Sequence, residues 1–457
     1  MEFHLIGIGG AGMSVVAELL LAEGHSVTGS DREDSANMHF LKTLGARVYV
    51  GHSEKHLSPT ATVVVSSAIK DGNPELTLAR KRGQRVWHRS QALAFAAGSR
   101  DFIAVAGAHG KTSTTGMLAL ALEKLGMDPS TAIGASLAGG VPGGHLGTGN
   151  LLIAEADESD GSFLNYRPRV AVVTNIEPDH LDHYGSAERF EQAFFDFSRC
   201  IVPSGLLICD TDDAGALRLA RKAEAAGIRV WTYGYGQQAV PGAEHARIVR
   251  CAERASGFGI CGSVSFRGKE TGLDIRVPGA HMLANAAGAW LVGVELGVAQ
   301  DDMARALSAF HGAQRRYELR GTVRGIRVID DYAHHPTEIE ATLRTARSQC
   351  AGKVRVLFQP HLYSRTAKFR DRFARALQLA DEAVITSAYA AREVPADGLD
   401  GDAIADLLPG SRFIPDHLAA ARQLARDARE GDILFTMGAG DVTDMGPVIV
   451  RELEKNR

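Results

Sequence analysis

Two glycine-rich stretches carry the residue types and spacing that handle phosphate. Gly7, Gly9 and Gly12 form G-x-G-x-x-G after the apolar run FHLIGI and before a segment whose Met13, Val16, Ala17, Leu20 and Leu21 recur at helical spacing. Glycine lets a chain turn tightly and approach a ligand closely. The first N–H groups of the following helix, at its positive dipole end, suit a diphosphate. Asp31 closes the next strand-like run, HSVTGSD, where an acid can hold a ribose hydroxyl. Alone, this pattern reads as an NAD(P) dehydrogenase site. The second stretch is Gly107-Ala108-His109-Gly110-Lys111-Thr112-Ser113, between the strand-like DFIAVA and a helix with Met117, Leu118, Ala121, Leu122 and Leu125 at helical spacing. It departs from a strict Walker A, because Val105 stands at the usual first glycine. Successive backbone N–H groups still form an anion nest. Lys111 would reach the β- and γ-phosphates, and the Thr112 hydroxyl would bind Mg²⁺. A dehydrogenase has no need of a second phosphate cradle. Two cradles point to a nucleoside triphosphate plus a second diphosphate-bearing ligand, and so to an ATP-driven transferase or ligase.

Acids and histidines cluster after the second cradle. Glu155 ends the apolar run LLIA, the usual place for a Mg²⁺ ligand beside a phosphate loop. Asp157, Glu158 and Asp160 crowd the same loop, either at the metal or simply solvated. His180, in NIEPDHLDHYG, ends the next strand-like run and offers an imidazole for a second metal. His281 and Asn285 open an Ala-rich helix that can meet a base or phosphate. Arg315 and Arg316 fall at a boundary between segments, where a cation can stabilise developing phosphate charge.

The elements that must position these residues are short apolar runs alternating with amphipathic helical segments. This is the pattern of α/β architecture with largely parallel sheets. The logic restarts three times, near Met1, near Ser99 and near Gly312, and at roughly 150 residues per domain the 457-residue chain has room for about three domains. In the third part, IRVIDDYAHHPTEIEATLRTA reads as strand, loop and helix, with Pro336 opening the helix. Residues 234–272 read as antiparallel strands and turns. Met282–Val298 reads as a buried helix, because Asn285 and Glu295 interrupt it and a membrane span wants roughly 20 apolar residues.

Composition narrows the partners. Hydrophobic residues make up 45%, charged residues 23%, and Lys plus Arg (50) nearly balances Asp plus Glu (54), for a net charge of −4. That gives no support for a nucleic-acid partner or for membrane insertion. Five cysteines, Cys200, Cys209, Cys251, Cys261 and Cys350, form no C-x-x-C pair and read as free thiols of a reducing cytoplasm. The start, MEFHLIGIGG, lacks the basic segment and cleavage site of a signal peptide.

Taken in order, GIGGAGMS, GAHGKTSTT, EADESDGSF, TNIEPDHLDHYG, the His281/Asn285 pair, QRRYE, DDYAHHPTE and FQPHLYSRT resemble the Mur ligases of bacterial peptidoglycan synthesis over nearly the whole chain. The resemblance implies an α/β protein of three domains: a Rossmann-like UDP-sugar domain (1–98), a central P-loop ATPase-like domain (99–312) and a Rossmann-like amino-acid domain (313–457). The first glycine loop would then hold UDP rather than NAD. Gly9, Gly10, Ala11, Gly12, Met13, Ser14, Asp31, Ser66, Ser67, Ala68 and His88 would lie along the UDP-sugar. Gly107 through Ser113, His281, Asn285, Arg316 and Asp331 would bind ATP. Thr112, Glu155 and His180 would hold Mg²⁺, while His361 and Arg365 would face the amino acid, the latter through its planar donor fork. Lys111, Glu155, His180 and Arg316 would carry the catalysis. Three positions depart from the family pattern: Ala108 stands where Thr is usual, Met282 where Asn is common, and Leu362 where Arg is frequent.

The implied reaction activates the lactyl carboxylate of UDP-N-acetylmuramate with ATP, giving an acyl phosphate, which the amino group of L-alanine then attacks. The motifs look more like the alanine-adding branch than the branch that attaches a recycled tripeptide. The expected setting is cytoplasmic, as a monomer or homodimer.

Overall fold

The structure is a computed structural model. It describes residues 1–236, 240–253, 258–391, 393 and 400–455, with only the backbone for 182, 250, 251 and 253. Three sheets carry it. The first has five parallel strands, β1 (Glu2–Ile6), β2 (Ser26–Asp31), β3 (Arg47–Val50), β4 (Thr62–Val65) and β5 (Val86–His88), in the order β3-β2-β1-β4-β5. This is the Rossmann arrangement, in which ligands bind outside the carboxyl ends of the strands where the order reverses, here beside β1. The helix Ala11–Ala22 follows β1 directly and buries Met13, Val16, Ala17 and Leu20 against the sheet, with Leu21 at the margin.

The central sheet is built from β6 (Asp101–Ala106), β7 (Ser130–Ala132), β8 (Gly144–His145), β9 (Leu151–Glu155), β10 (Val170–Val173), β11 (Leu206–Asp210), β12 (Val230–Gly234), β13 (Glu244–Glu253), β14 (Ile260–Phe266) and β15 (Lys269–Ile275). Its order is β15-β14-β13-β12-β11-β10-β6-β9-β7-β8. Strand β6 therefore lies between β9 and β10, parallel to both. Ile103 to Ala106, Leu151 to Ala154 and all of β10 are buried. Runs without polar alternation are what a parallel sheet covered on both faces requires. Because the three strands run the same way, the loops after Ala106, Glu155 and Val173 leave one edge together. That edge holds the second glycine loop.

The expectation of antiparallel strands across 234–272 needs one correction. Strand β13 pairs with β12 in parallel, Trp231 opposite Glu244. Residues 237–239 and 254–257 of that segment lie outside the described residues. The helix Ala280–Glu295 buries every residue from Met282 to Gly293, as a helix apolar on all sides should. No described helix is long and apolar enough to cross a membrane.

The C-terminal sheet holds β16 (Glu318–Val323), β17 (Ile326–Asp331), β18 (Val354–Phe358), β19 (Glu382–Ile385), β20 (Arg412–Phe413) and β21 (Ile433–Met437) in the order β16-β17-β21-β18-β19-β20. All pair in parallel except the hairpin β16–β17. Pro336 occupies the first turn of the helix Pro336–Gln349, as its missing N–H allows.

By internal contacts the described chain forms two compact units. One takes residues 1–252, 261–275 and 282–311, so the first two sheets belong together. The other takes 253–260, 276–281 and 312–457. His281 thus belongs to the C-terminal unit and Asn285 to the N-terminal one, although they are one turn apart on the same helix. Of the five cysteines, Cys200, Cys209, Cys261 and Cys350 are free, and the Cys251 side chain lies outside the described residues.

Candidate active site

The second glycine loop is clamped from the neighbouring strand tip. The His109 N–H donates to Asn175 Oδ1 at 2.9 Å. Its carbonyl accepts from Asn175 Nδ2 at 2.9 Å and from Thr174 Oγ1 at 2.5 Å. The His109 ring meets Glu177 at 3.3 Å. Gly107 has φ +136°, and a Cβ there would lie 2.2 Å from Thr174 Oγ1. Gly110 has φ +84°, and a Cβ there would lie 2.8 Å from Asn285 Oδ1. Both glycines are therefore required by left-handed backbone and close approach, not merely by flexibility. Gly110 caps the helix Lys111–Lys124, whose first N–H groups have no intrahelical acceptor and face the loop as an anion site. Ser113 is 3% exposed, so it offers the loop its N–H and not its hydroxyl, while Thr112 remains half-buried at the opening.

Lys111 is held within the loop. Its Nζ donates to the carbonyls of Gly107 and Ala108 and to both oxygens of Glu158, at 3.0 and 2.8 Å. The side chains are 16% and 2% exposed. Burial alone would pull the Lys111 pKa down. The Glu158 carboxylate, with Asp157 and Glu155 behind it, outweighs burial and holds the ammonium above the usual lysine value. Ala108, which lacks the hydroxyl common at this position, takes part through its carbonyl alone.

Glu158 is 2% exposed, which excludes the solvated alternative for this acid. Strand β9 delivers the loop beside β6, and the backbone turns Glu158 inward beneath Lys111. The phenol of Tyr184 donates to the Glu158 carbonyl at 2.5 Å, fixing that turn. Nothing in the sequence separates Glu158 from Asp157, because loop acids have no periodicity to reveal which one is buried. Thr174 and Asn175 were legible only as part of TNIEPDHLDHYG.

Glu155 does end β9, and its Oε1 accepts the Gly134 N–H at 2.9 Å. His180 sits at φ +50°, capping the short helix Leu181–Tyr184, with Nε2 3.6 Å from Asp179 Oδ2. Among the described residues, neither belongs to a cluster of three His, Cys, Asp or Glu ligand atoms within 4.8 Å of one another. Mg²⁺ does not demand one, since it keeps waters and uses one or two carboxylates plus substrate phosphates. Thr112 at the loop and Glu155 at the adjacent strand tip suit that ion by their hard oxygen donors.

In the first sheet, Gly7 has φ +82° and bonds the Ser30 carbonyl at 2.7 Å. The Asp31 carboxylate accepts the Gly9 N–H at 2.8 Å and the Arg32 N–H at 2.7 Å. It therefore braces the glycine loop, a task beyond the ribose contact expected of it. A Cβ at Gly12 would lie 2.2 Å from Arg89 Nη1, so the missing side chain makes room for a guanidinium over the helix start. The Met13 and Ser14 side chains are 3% and 5% exposed, and the Ser14 hydroxyl donates to the Ala11 carbonyl at 3.0 Å. They point into the core because the helix turns at once onto the sheet, which leaves Gly10, Ala11 and Gly12 to offer backbone. The turn Ser66–Ile69 follows β4, with Ile69 packed toward Gly7 and Ala68 exposed. Ser67 Oγ donates to Asp160 Oδ2 at 2.6 Å and lies 3.2 Å from His88 Nε2. Asn165 Nδ2 donates to Ser90 Oγ at 2.8 Å, and Ser90 in turn meets His88 Nδ1 at 2.9 Å. The acidic loop of the second sheet thus reaches the expected sugar-side residues of the first.

The C-terminal unit gathers its own expected residues. Asp331 is 5% exposed, and its carboxylate accepts the N–H groups of Tyr317 and Ala333, both at 2.8 Å. It shapes the turn in which Arg315 and Tyr317 adopt left-handed φ of 59° and 51°. Arg315 donates to the Gly438 and Gly440 carbonyls, whereas Arg316 meets Glu338 at 3.3 Å, and both guanidiniums lie over Tyr332. The half-buried His281 is driven to about 4, first by desolvation and then by the Arg316 cation, so it is a neutral imidazole at pH 7. Arg365 is 9% exposed, and His361 stacks on Tyr389 with centroids 5.8 Å apart. Leu362, at φ +68°, opens the helix that carries Arg365.

This set of sites matches known proteins in order. Residues 2–100 match the Mur ligase family, catalytic domain; 105–293 the Mur ligase middle domain; and 315–440 the Mur ligase, glutamate ligase domain. The chain belongs to the Mur ligase family, which removes the dehydrogenase reading of the first glycine loop. It is 49% identical to the UDP-N-acetylmuramate–L-alanine ligase of Renibacterium salmoninarum, over 98% of this chain and 95% of that protein. Among solved structures it resembles the UDP-N-acetylmuramate-alanine ligase MurC of Thermotoga maritima, with TM-score 0.77, 30% identity and full coverage of both chains. The murein peptide ligase of Psychrobacter arcticus gives TM-score 0.67 at 28% identity, over 99% of this chain and 98% of that one.

Two predictions follow from the Lys111–Glu158 pair and from Asp331. Removing one partner of a buried ion pair costs about 3–5 kcal/mol, because the other charge is left alone. The double variant Lys111→Ala/Glu158→Ala should therefore lose less urea stability than the sum of the losses of the two single variants. A coupling energy indistinguishable from zero in that cycle would show the pair is not formed. Burial pushes the Asp331 carboxyl up to about 6 from 3.8, against Arg316 and the two N–H donors. The folded state then binds a proton there that the unfolded state has lost. This group favours folding increasingly as pH falls through 6 and disfavours it above. Carbon-13 NMR of the Asp331 carboxyl should show a midpoint near 6 without nucleotide; a midpoint near 4 would contradict its burial.

Proposed function

We propose that this chain is an ATP-dependent amide-bond ligase that joins L-alanine to the lactyl carboxylate of UDP-N-acetylmuramate. The observation that carries the reading is Lys111, held as a cation by the buried Glu158 inside a left-handed glycine loop at a helix N-terminus. It is supported by the likeness of nearly the whole chain to relatives named for this activity.

A carboxylate does not acylate an amine unaided, since oxide is too poor a leaving group. The carboxylate oxygen first attacks the γ-phosphorus of ATP. The bond to the β,γ-bridging oxygen breaks, giving an acyl phosphate and ADP. The neutral amine of L-alanine then attacks the acyl carbon, the C–O bond to phosphate breaks, and the amine loses a proton. The first step brings two anions together. At an effective dielectric near 20, unit charges about 4 Å apart repel by about 4 kcal/mol, so each cation that offsets this matters by about a hundredfold or more in rate. Lys111 and the N–H groups of the loop supply that compensation on the γ-phosphate. Mg²⁺ held by Thr112, Glu155 and His180 would neutralise further phosphate charge.

The first glycine loop and the Ser66–Ile69 turn are assigned to the UDP-sugar, with Asp160 ordering Ser67 and His88. Arg316, Asp331 and His281 are assigned to the nucleotide, and His361 and Arg365 to the amino acid, Arg365 meeting its carboxylate. Leu362 supplies no cation to that site, so Arg365 carries more of the carboxylate recognition.

Lys111→Ala should lower ATP turnover at least a hundredfold while UDP-N-acetylmuramate binding, followed by calorimetry, stays within about threefold. Near-normal ADP release from the folded variant would refute the assignment. Turnover should also rise toward alkaline pH, because an ammonium has no lone pair. A rate flat from about pH 6 to 9 would show that amine deprotonation is not limiting.

A further inference from the structure

A buried carboxylate lies beneath the first glycine loop with no role in the reaction above. Glu75, in the first turn of the helix Pro74–Lys81, is 0% exposed. Its Oε2 accepts from Ser30 Oγ and lies 3.5 Å from His4 Nε2 and 3.4 Å from His52 Nδ1. Its Oε1 accepts the Ser53 N–H at 3.1 Å and meets His56 Nδ1 at 3.2 Å. The network extends outward. His4 Nδ1 meets Thr28 Oγ1 at 2.8 Å, His52 Nδ1 meets Ser30 Oγ at 2.8 Å, and His56 stacks flat on Tyr49 with centroids 4.1 Å apart. Asn73 caps the helix that presents Glu75, its Oδ1 accepting from the N–H groups of Glu75 and Leu76.

The imidazoles surround both carboxylate oxygens instead of converging on one point, so this is a hydrogen-bonded hub and not a metal centre. Burial alone would push the Glu75 carboxyl up; hydrogen bonds from His4, Ser30 and the Ser53 N–H outweigh it and hold the group at about 2. Such a hub is an expensive way to gain stability, because a buried ion network seldom beats well-packed apolar side chains of the same volume. What such a network adds is a defined geometry, with both Glu75 oxygens held from several segments.

That geometry is delivered to one place. Ser30, which Glu75 grips by its hydroxyl, offers its carbonyl to the N–H groups of both Gly7 and Ile8, at 2.7 and 3.1 Å. The next residue, Asp31, takes the Gly9 N–H. Ser30 and Asp31 are thus the floor on which the glycine loop rests, and Glu75 fixes that floor to β1 through His4 and to the chain after β3 through His52, Ser53 and His56.

We infer that Glu75 is a positioning residue for the first glycine loop, setting the backbone geometry that receives the diphosphate of the UDP-sugar. This rests on the functional reading above, and the test separates the two. With the full-length protein, Glu75→Gln should raise the KM for UDP-N-acetylmuramate, and its calorimetric Kd, about tenfold. It should leave kcat and the KM for ATP within about twofold. Ser30→Ala, which cuts the hub from the floor with a smaller change in packing, should shift the same two quantities about threefold. It carries the test alone if Glu75→Gln does not fold. Unchanged UDP-sugar affinity in a folded variant would overturn the inference. So would a parallel fall in kcat and in affinity for both substrates, the mark of a merely structural role. Failure of the wild-type protein to bind UDP-N-acetylmuramate would instead overturn the functional reading, and the inference with it.

Discussion

The N-terminal unit depends on the ion pair between Lys111 and Glu158. A lone ammonium cannot be kept inside a loop of left-handed glycines, because burial would discharge it. Glu158 prevents that, at 2% exposure and with both oxygens on Nζ. The sheet order follows from the same need. Strand β6 must carry the loop, β9 must bring the acids from one side, and β10 must bring Thr174 and Asn175 from the other. Only neighbouring parallel strands place three such loops on one edge. The left-handed backbone at Gly107 and Gly110, and the close approach of Thr174 and Asn285, complete a frame that has little freedom to adjust.

The same acidic loop links the two glycine-loop regions assigned to nucleotides. Glu155, Glu158 and Asp160 come from one short segment, yet each has a separate task. Glu155 holds the Gly134 N–H, Glu158 charges Lys111, and Asp160 reaches Ser67 and, at 3.5 Å, His88. A single segment therefore touches the ATP loop and the turn assigned to the sugar. In the first sheet the Ser30–Asp31 floor plays the comparable part, with Glu75 below it and the glycine loop above. In both cases a buried carboxylate braces a glycine loop assigned to phosphate, Glu158 through Lys111 and Glu75 through Ser30.

Much of this was legible in the sequence. Both glycine loops stand where strand and helix patterns placed them, and the apolar runs became central parallel strands. The Ala-rich helix that holds His281 and Asn285 is buried along Met282–Gly293. What escaped was tertiary in origin. Glu158 and Asp157 look alike in sequence, and only the turn after β9 decides which is buried. Glu75 follows Pro74 at a helix start and reads as a surface residue, since its burial depends on four segments meeting around it. Met13 and Ser14 sit inside the glycine motif, yet the helix turns them into the core within its first turn. Arg315 and Arg316 both lie over Tyr332, yet one donates to the Gly438 and Gly440 carbonyls and the other meets Glu338. Periodicity carries no information about such turns.

The central claim is that ATP activates the carboxylate by phosphorylation, in a cradle charged by Lys111. The most direct test uses UDP-N-acetylmuramate labelled with oxygen-18 in its lactyl carboxylate, turned over with ATP, Mg²⁺ and L-alanine, with products read by mass spectrometry. The account predicts one labelled oxygen in inorganic phosphate for each amide formed, and L-alanine on the sugar nucleotide. Label in AMP would contradict it by showing an adenylate. Amide formation only with a tripeptide would keep the cradle and contradict the amino-acid assignment.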